Sequence, residues 1–406
     1  MRIYLEALRI RYVARLLFSQ LLARFPAGML SVALLIHIEQ TYGDFTAAGF
    51  TIAAFAIGQG IAGPLGGRLL SRFGMRTVLV PTIALSSITL AILGLTTPPM
   101  QLLFPLVFIT GLTIPPIPPA VRTVYPKITD SSRINTVFAI DATLQEIIWI
   151  LGPLLTTIIA ATLGPRTGIL LCSAVLLVGG IWFVTSKPIG QVRIPNSPRK
   201  MGAVLREPVV LIMTVVFMFG IGTWGALDAA AIAHFGHEDP FVGVVLGLSA
   251  VGSLIGGLAA GLLAMPRWSL AARVGLGVIG TTLALFSLGS PLMFILAFFI
   301  TGMSSSPMIA LANSAVSATV RFSDTAEAFG WLGTAQLVGV AIASAFAGIA
   351  IDAMGALGGL LIGAGFSVAA LIVSLVAIPW LPDLSDGTAL PRADTAPIVL
   401  PDTDQA

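Results

Sequence analysis

Residues 167–185 read TGILLCSAVLLVGGIWFVT and carry no charge, whereas residues 186–208 read SKPIGQVRIPNSPRKMGAVLREP, with Lys187, Arg193, Arg199, Lys200 and Arg206 set among Pro188, Pro195 and Pro198. About 20 apolar residues cross the hydrocarbon core as a helix. The first segment therefore reads as a membrane span and the second as a basic, proline-broken connection outside the membrane. Working outward, six apolar stretches occupy the chain up to residue 185, at approximately 16–38, 46–67, 77–97, 100–121, 135–161 and 167–185. Six more follow the connection, at 209–233, 241–264, 274–289, 292–316, 327–350 and 357–381.

Composition agrees with this reading. Of 406 residues 56% are hydrophobic and 10% charged, against about 25% charged in soluble domains, and the mean hydropathy is +0.99. So few charges cannot cover a water-soluble surface. The apolar runs are continuous rather than alternating, which excludes an outer-membrane barrel. The net charge of +3 comes from basic residues in short loops and sets orientation rather than binding nucleic acid. With the amino terminus in the cytoplasm, all but Arg24, Arg122 and Arg166 of the 21 Lys and Arg fall on the cytoplasmic side. Both termini are therefore expected inside, in a multi-pass protein of the cytoplasmic (plasma) membrane, its first span uncleaved. Cys172, the single cysteine, lies within a span and reads as a packing residue.

A shift of 191 positions superposes Phe108-Ile109-Thr110-Gly111 on Phe299-Ile300-Thr301-Gly302, and pairs Pro116 with Pro307, Phe138 with Phe329 and Gln145 with Gln336. One constant offset holding across three spans predicts a duplicated six-helix unit. The expected fold class is an all-α membrane protein whose 12 transmembrane helices form two pseudo-symmetric six-helix bundles. An amino-terminal bundle (1–185), a basic cytoplasmic linker (186–208) and a carboxyl-terminal bundle (209–381) precede a Pro-, Asp- and Thr-rich tail (382–406) expected to be disordered.

Gly67-Arg68-Leu69-Leu70-Ser71-Arg72-Phe73-Gly74-Met75-Arg76, between spans two and three, is similar to the signature loop Gly-x-Leu-x-Asp-Arg-x-Gly-x-Arg of the major facilitator superfamily. Gly67 permits close helix contact, Gly74 a tight turn, and Arg72 and Arg76 can bond helix carboxyl ends and carboxylates. Together with twelve spans, a basic central linker and parallel repeats, this loop makes the chain resemble that family over about residues 16–381. The resemblance implies alternating access, with the loop as a latch between the halves; here Ser71 stands at its acidic position. Gly152-Pro153 matches part of the exporter signature of span five, and Val107 stands where proton-coupled members often carry an arginine.

Charges inside spans are costly and mark function by default. Glu146 lies eleven residues into span five, at about 1.5 Å per residue roughly 16 Å deep, and reads either as a proton carrier or as a structural ion pair with Arg24 or Arg122. Asp141 and Arg122 are placed to pair toward the cytoplasmic side, Arg24 can hold a substrate carboxylate or pair with Asp141 or Glu146, and Asp228 is a second proton site or part of an external vestibule. Pro115, Pro116, Pro118 and Pro119 must interrupt span four, giving, with Gly152 and Pro153, a set of helix-break or gating positions. Gln145, Trp149, Trp224, Trp331 and Gln336 are cavity candidates, each tryptophan equally readable as packing. His234-Phe235-Gly236-His237-Glu238-Asp239 reads as a solvated external loop rather than a metal site.

No phosphate loop or nucleophile elbow occurs, so neither cofactor nor enzymatic activity is expected. The expected function is a secondary active transporter, monomeric, driven by protons and exporting hydrophobic or amphipathic small molecules across the bilayer. A proton-coupled carrier of a sugar, amino acid or organic anion is the alternative, and a non-transporting scaffold or sensor a remote one.

Overall fold

A computed structural model describes residues 2–42, 45–130, 133–195, 197, 199–236 and 240–385. Among them the chain is helical, with no strand. A short amphipathic helix, α1 (Arg2–Arg9), precedes a first span made of two helices, α2 (Val13–Arg24) and α3 (Pro26–Tyr42). Spans two and three are α4 (Phe45–Phe73) and α5 (Met75–Leu95), and span four is again divided, into α6 (Met100–Leu112) and α7 (Ile117–Ile128). Spans five and six are α8 (Ile134–Leu163) and α9 (Pro165–Val184). The connection contains α10 (Lys187–Gln191) and a 3₁₀ turn (Ala203–Arg206). The second half comprises α11 (Pro208–Phe235), α12 (Pro240–Ala260), α13 (Ser269–Leu285), α14 (Pro291–Thr319), α15 (Phe322–Met354) and α16 (Ala356–Val376). Among the described residues, eleven spans are long and apolar enough to cross a membrane, and α13 is a shorter twelfth apolar helix.

Several boundaries differ from the sequence reading. The first span breaks at Phe25, because Pro26 has no N–H to donate to the preceding turn and instead begins α3. Gly67–Phe73 is not a loop: α4 continues through it, and Gly74 alone, at φ +87°, makes the turn into α5. α13 begins at Ser269, so Arg273 is buried within a helix rather than in a loop. Pro153 does not break α8, which runs on to Leu163. His234 lies in the last turn of α11, stacked on Phe294 at 5.2 Å between ring centres, while His237, Glu238 and Asp239 fall outside the described residues. The start of the expected disordered tail is docked, with the Leu384 N–H donating to the Met265 carbonyl at 3.0 Å; residues 386–406 fall outside the described set.

The repeat is visible in packing. α4 packs on α6 as α12 packs on α14, α3 on α8 as α11 on α15, and α5 on α9 as α13 on α16. Without a hydrophobic driving force between helices in lipid, such pairs depend on small residues that allow close approach. Gly111 and Gly302, 191 positions apart, illustrate this. A methyl group on Gly111 would collide with the Phe55 carbonyl, and one on Gly302 with the Ser249 carbonyl.

The halves meet through α4 against α15 and through α8 against α12 and α14. The named contacts between them run from the face that carries the linker to mid-depth. Thr334 donates to the Gly60 carbonyl at 2.7 Å, Phe138 packs on Phe329, and Tyr4 of α1 donates to the Leu258 carbonyl of α12. Glu146 with Ser306 likewise lies near the middle of α8 and α14.

Candidate functional site

The breaks in spans one and four place two arginines inside the first half. Arg24 is the last residue of α2, and Arg122 sits in α7, which Pro116 starts on a new course after α6 has ended at Leu112. Both face α8, where Asp141 and Gln145 lie one turn apart on one side of the helix. The Asp141 carboxylate is fully buried and accepts from Arg122 Nε at 3.0 Å, Gln20 Nε2 at 2.8 Å and Tyr125 Oη at 3.2 Å, with Arg24 Nη1 at 3.8 Å. Gln145 Oε1 accepts from Arg24 Nη2 at 2.6 Å and from Arg122 Nη2 at 3.2 Å, and Arg24 Nη1 also donates to Gln20 Oε1 at 2.8 Å. Arg24 thus lies beside Asp141 and not beside Glu146. Gln20 and Tyr125 were not singled out from sequence, although Gln20 precedes Arg24 by one helical turn in an apolar run.

Glu146 turns the other way, into the seam between the halves. Its Oε1 accepts from Ser306 Oγ of α14 at 3.1 Å, and Ser306 in turn lies 2.9 Å from Ser253 Oγ of α12. Among the described residues no Lys, Arg or His lies within ion-pair distance of Glu146. The carboxyl is therefore held by hydroxyls alone. Ser304-Ser305-Ser306-Pro307, a polar run inside an apolar span, is the sequence signal that marks its partner.

The other cavity candidates separate. Trp224 donates to Ser305 Oγ at 3.0 Å and packs edge-on against Phe298. Asp228, one turn farther along the same face of α11, is half-buried and makes no hydrogen bond or ion pair among the described residues. Trp149 is exposed, one turn from Gln145 on α8. Gln336, half-buried in α15, makes no hydrogen bond among the described residues. Gly152 lies against the Gly28 backbone, so its smallness lets α3 and α8 touch.

A second polar cluster closes the linker face. Gly67 packs directly on the Ala326–Glu327 backbone of α15. From the next position Arg68 Nη1 reaches Glu327 Oε2 at 3.0 Å, while Glu327 Oε1 accepts from the Gly202 N–H at 2.6 Å and from Trp331 Nε1 at 3.4 Å. Trp331 therefore sits with this cluster. Arg68 also donates to the Arg199 carbonyl, and Arg199 pairs with Glu207 at 2.7 Å and Asp324 at 3.9 Å. The hydrogen bond that Arg199 donates to Glu207 holds the guanidinium above its usual pKa, against the opposing effect of burial. Ser71 bonds only its own helix, at the Arg68 carbonyl, 2.8 Å away. Arg72 lies over the Phe73 ring, and Arg76 Nε caps the end of α9 at the Val184 carbonyl, 3.0 Å away. The ion pair of the signature segment with the other half is thus made by Arg68, at a variable position of the motif, to Glu327, near the start of α15. No group of three His, Cys, Asp or Glu able to hold a metal occurs among the described residues.

Solved structures with the same arrangement of helices are transporters. An outward-facing bacterial homologue of the iron transporter ferroportin superposes with a TM-score of 0.73 at 15% identity, covering 91% of this chain and 99% of that one. The major facilitator transporter FucP in its outward conformation, and the E. coli fucose:proton symporter, each give a TM-score of 0.69 at 14% identity, covering 90% of this chain and 98% of theirs. At such identities the likeness is one of fold. No curated protein matches the chain. The sequence profile of the Major Facilitator Superfamily matches residues 16–263. With more than half of its length inside that match, the chain belongs to the Major Facilitator Superfamily.

Proposed function

We propose that this transporter couples proton movement to the passage of amphipathic small molecules, with export as the favoured direction, and that its linker face is cytoplasmic. The basic residues gathered on that face support the orientation. One observation carries the coupling: Glu146 is buried at the seam between the halves and is bonded only to hydroxyls of the opposite half. An ionised carboxylate is poorly accommodated there, because burial without a cation penalises charge. Separating α8 from α14 breaks the bond to Ser306 and admits water, so the seam is closed best around the protonated group and opens best around the ionised one. Alternation of the halves then loads and unloads one proton per cycle. Protonation changes the relative stability of two states, which is what coupling requires.

The test uses proteoliposomes with an internal pH dye, comparing wild type with Glu146→Gln across a panel of lipophilic acids, lipophilic cations and sugars. Substrate-driven proton movement is expected in wild type and lost in Glu146→Gln, while exchange of unlabelled for labelled substrate persists in the variant. Equal proton movement through both proteins overturns the assignment.

A further inference from the structure

The charges of the network in the first half do not balance. Arg24 and Arg122 share one carboxylate, Asp141, and both of its oxygens are already engaged: Oδ2 by Arg122, and Oδ1 by Gln20 and Tyr125. Arg24 comes no nearer than 3.8 Å to it, and the hydrogen bonds of Arg24 end on the neutral amide oxygens of Gln20 and Gln145. Gln145 Oε1 takes a hydrogen bond from both arginines, so two guanidiniums converge on one neutral acceptor. Among the described residues no second carboxylate lies within ion-pair distance of Arg24. The next acidic side chain along α8, Glu146, is bonded to Ser306 instead. One positive charge is left over inside a membrane span, where an uncompensated ion is costly and pairs with whatever anion can reach it.

The surplus also sits where it can be reached. The side chain of Arg24 is 12% exposed, against 5% for Arg122 and 0% for Asp141. It stands at the end of α2, beside the break at Phe25. One turn outward from Gln145, on the same face of α8, stands the exposed indole of Trp149. A cation with free donors followed by an aromatic surface matches a molecule with an anionic head and an apolar body.

We propose that Arg24 holds the anionic head group of the transported molecule and that the substrate class is amphipathic monoanions of the carboxylate type. This rests on the transport reading above and narrows it to one charge type. The guanidinium fork suits a planar oxyanion, and the binding of one negative charge brings the network to neutrality.

The experiment measures equilibrium binding to the purified full-length protein in detergent with three matched sets: naphthoate, phenylbutyrate and decanoate, each beside its primary amide and the ammonium compound of the same carbon skeleton. At least one carboxylate is expected to bind wild type tenfold or more tightly than its amide and its ammonium counterpart. Arg24→Gln is expected to abolish that preference, and Arg24→Lys to keep the sign of it with weaker binding. Binding that favours the ammonium compounds, or that shows no charge preference in any set, overturns the proposal. If Arg24→Gln does not fold, the wild-type preference and its persistence in Arg24→Lys decide. Flux of the same compounds into proteoliposomes is a separate arm. Carboxylate-selective binding without flux keeps the anion site and sinks transport, whereas flux of the ammonium compounds alone keeps transport and sinks the anion site.

Discussion

Arg68 of α4 and Glu327 of α15 form a 3.0 Å ion pair between the two halves, one residue beyond the point where Gly67 lets the two helix backbones touch. Glu327 is nearly fully buried and Arg68 partly exposed, so the pair is shielded on one side only. Because the Gly202 N–H from the linker also ends on Glu327, the connection between the halves takes part in the closure it joins.

Removing one member of this pair should favour opening of the linker face. Charge-assisted hydrogen bonds contribute about 1.5–3 kcal/mol and partial exposure reduces that. Arg68→Gln and Glu327→Gln are each expected to shift the population by about 1–2 kcal/mol, roughly five- to thirtyfold, and the double variant no further than the larger single effect. Distances between spin labels on the linker-face ends of α4 and α15 read the shift; additive effects would show that the two residues act separately.

Gly63 and Gly330 face one another across the same helix pair, and a methyl group on Gly63 would lie 2.8 Å from the Gly330 carbonyl oxygen. Gly330→Leu is therefore expected to prevent α4 and α15 from closing while leaving each half folded. The variant should unfold near the wild-type temperature but show single cysteines introduced at the linker-face ends of α4 and α15, in a Cys172→Ser background, reactive to a water-soluble maleimide. Unchanged reactivity would mean that the interface tolerates the added volume.

Asp141 compensates Arg122 and touches Gln20 and Tyr125, so Asp141→Ala leaves two buried guanidiniums without a counter-charge. Breaking a buried pair from one side costs about 3–5 kcal/mol, and thermal unfolding in detergent should fall accordingly. Combining Asp141→Leu with Arg122→Met should restore part of the loss, because the uncompensated Arg122 charge is removed along with its partner. A single variant as stable as wild type would show that water enters the network and replaces Asp141.

The equivalence of Gly111 and Gly302 gives a paired test of the repeat. Each sits against a carbonyl of the span two before it, Phe55 and Ser249 respectively, so leucine at either position forces the helix pair apart. Overpacking of this kind costs about 1–3 kcal/mol, and both substitutions should lower the unfolding temperature by similar amounts. A large loss at one site and none at the other would indicate that only one pair is closely packed.

Much of the architecture was written in the chain before any folding. Residues 167–185 can satisfy their backbone in lipid only as a helix, and the basic residues of 186–208 cannot enter the bilayer; these constraints are local, and they divide the chain into spans and sides. The 191-residue offset announced the repeat for the same reason, since Gly111 and Gly302 answer to identical short-range packing. The prolines from Pro115 to Pro119 likewise declared the break between α6 and α7, and Pro26 carried the signal for the break after Arg24.

Which of the offered charge pairs form was settled only in three dimensions. Asp141, Arg122 and Arg24 come from three spans that share no sequence register, and their pairing depends on how α2 and α7 approach α8. Glu146 differs from Gln145 by one position, yet about 100° of helical rotation sends one to the arginines and the other to Ser306. The ion pair to the other half is made by Arg68 because α4 continues as a helix through Phe73 and aims that side chain, not Arg72, across the seam. Spans follow from the solvent each segment must satisfy, whereas partners follow from helix rotation and approach, and these are properties of the packed bundle alone.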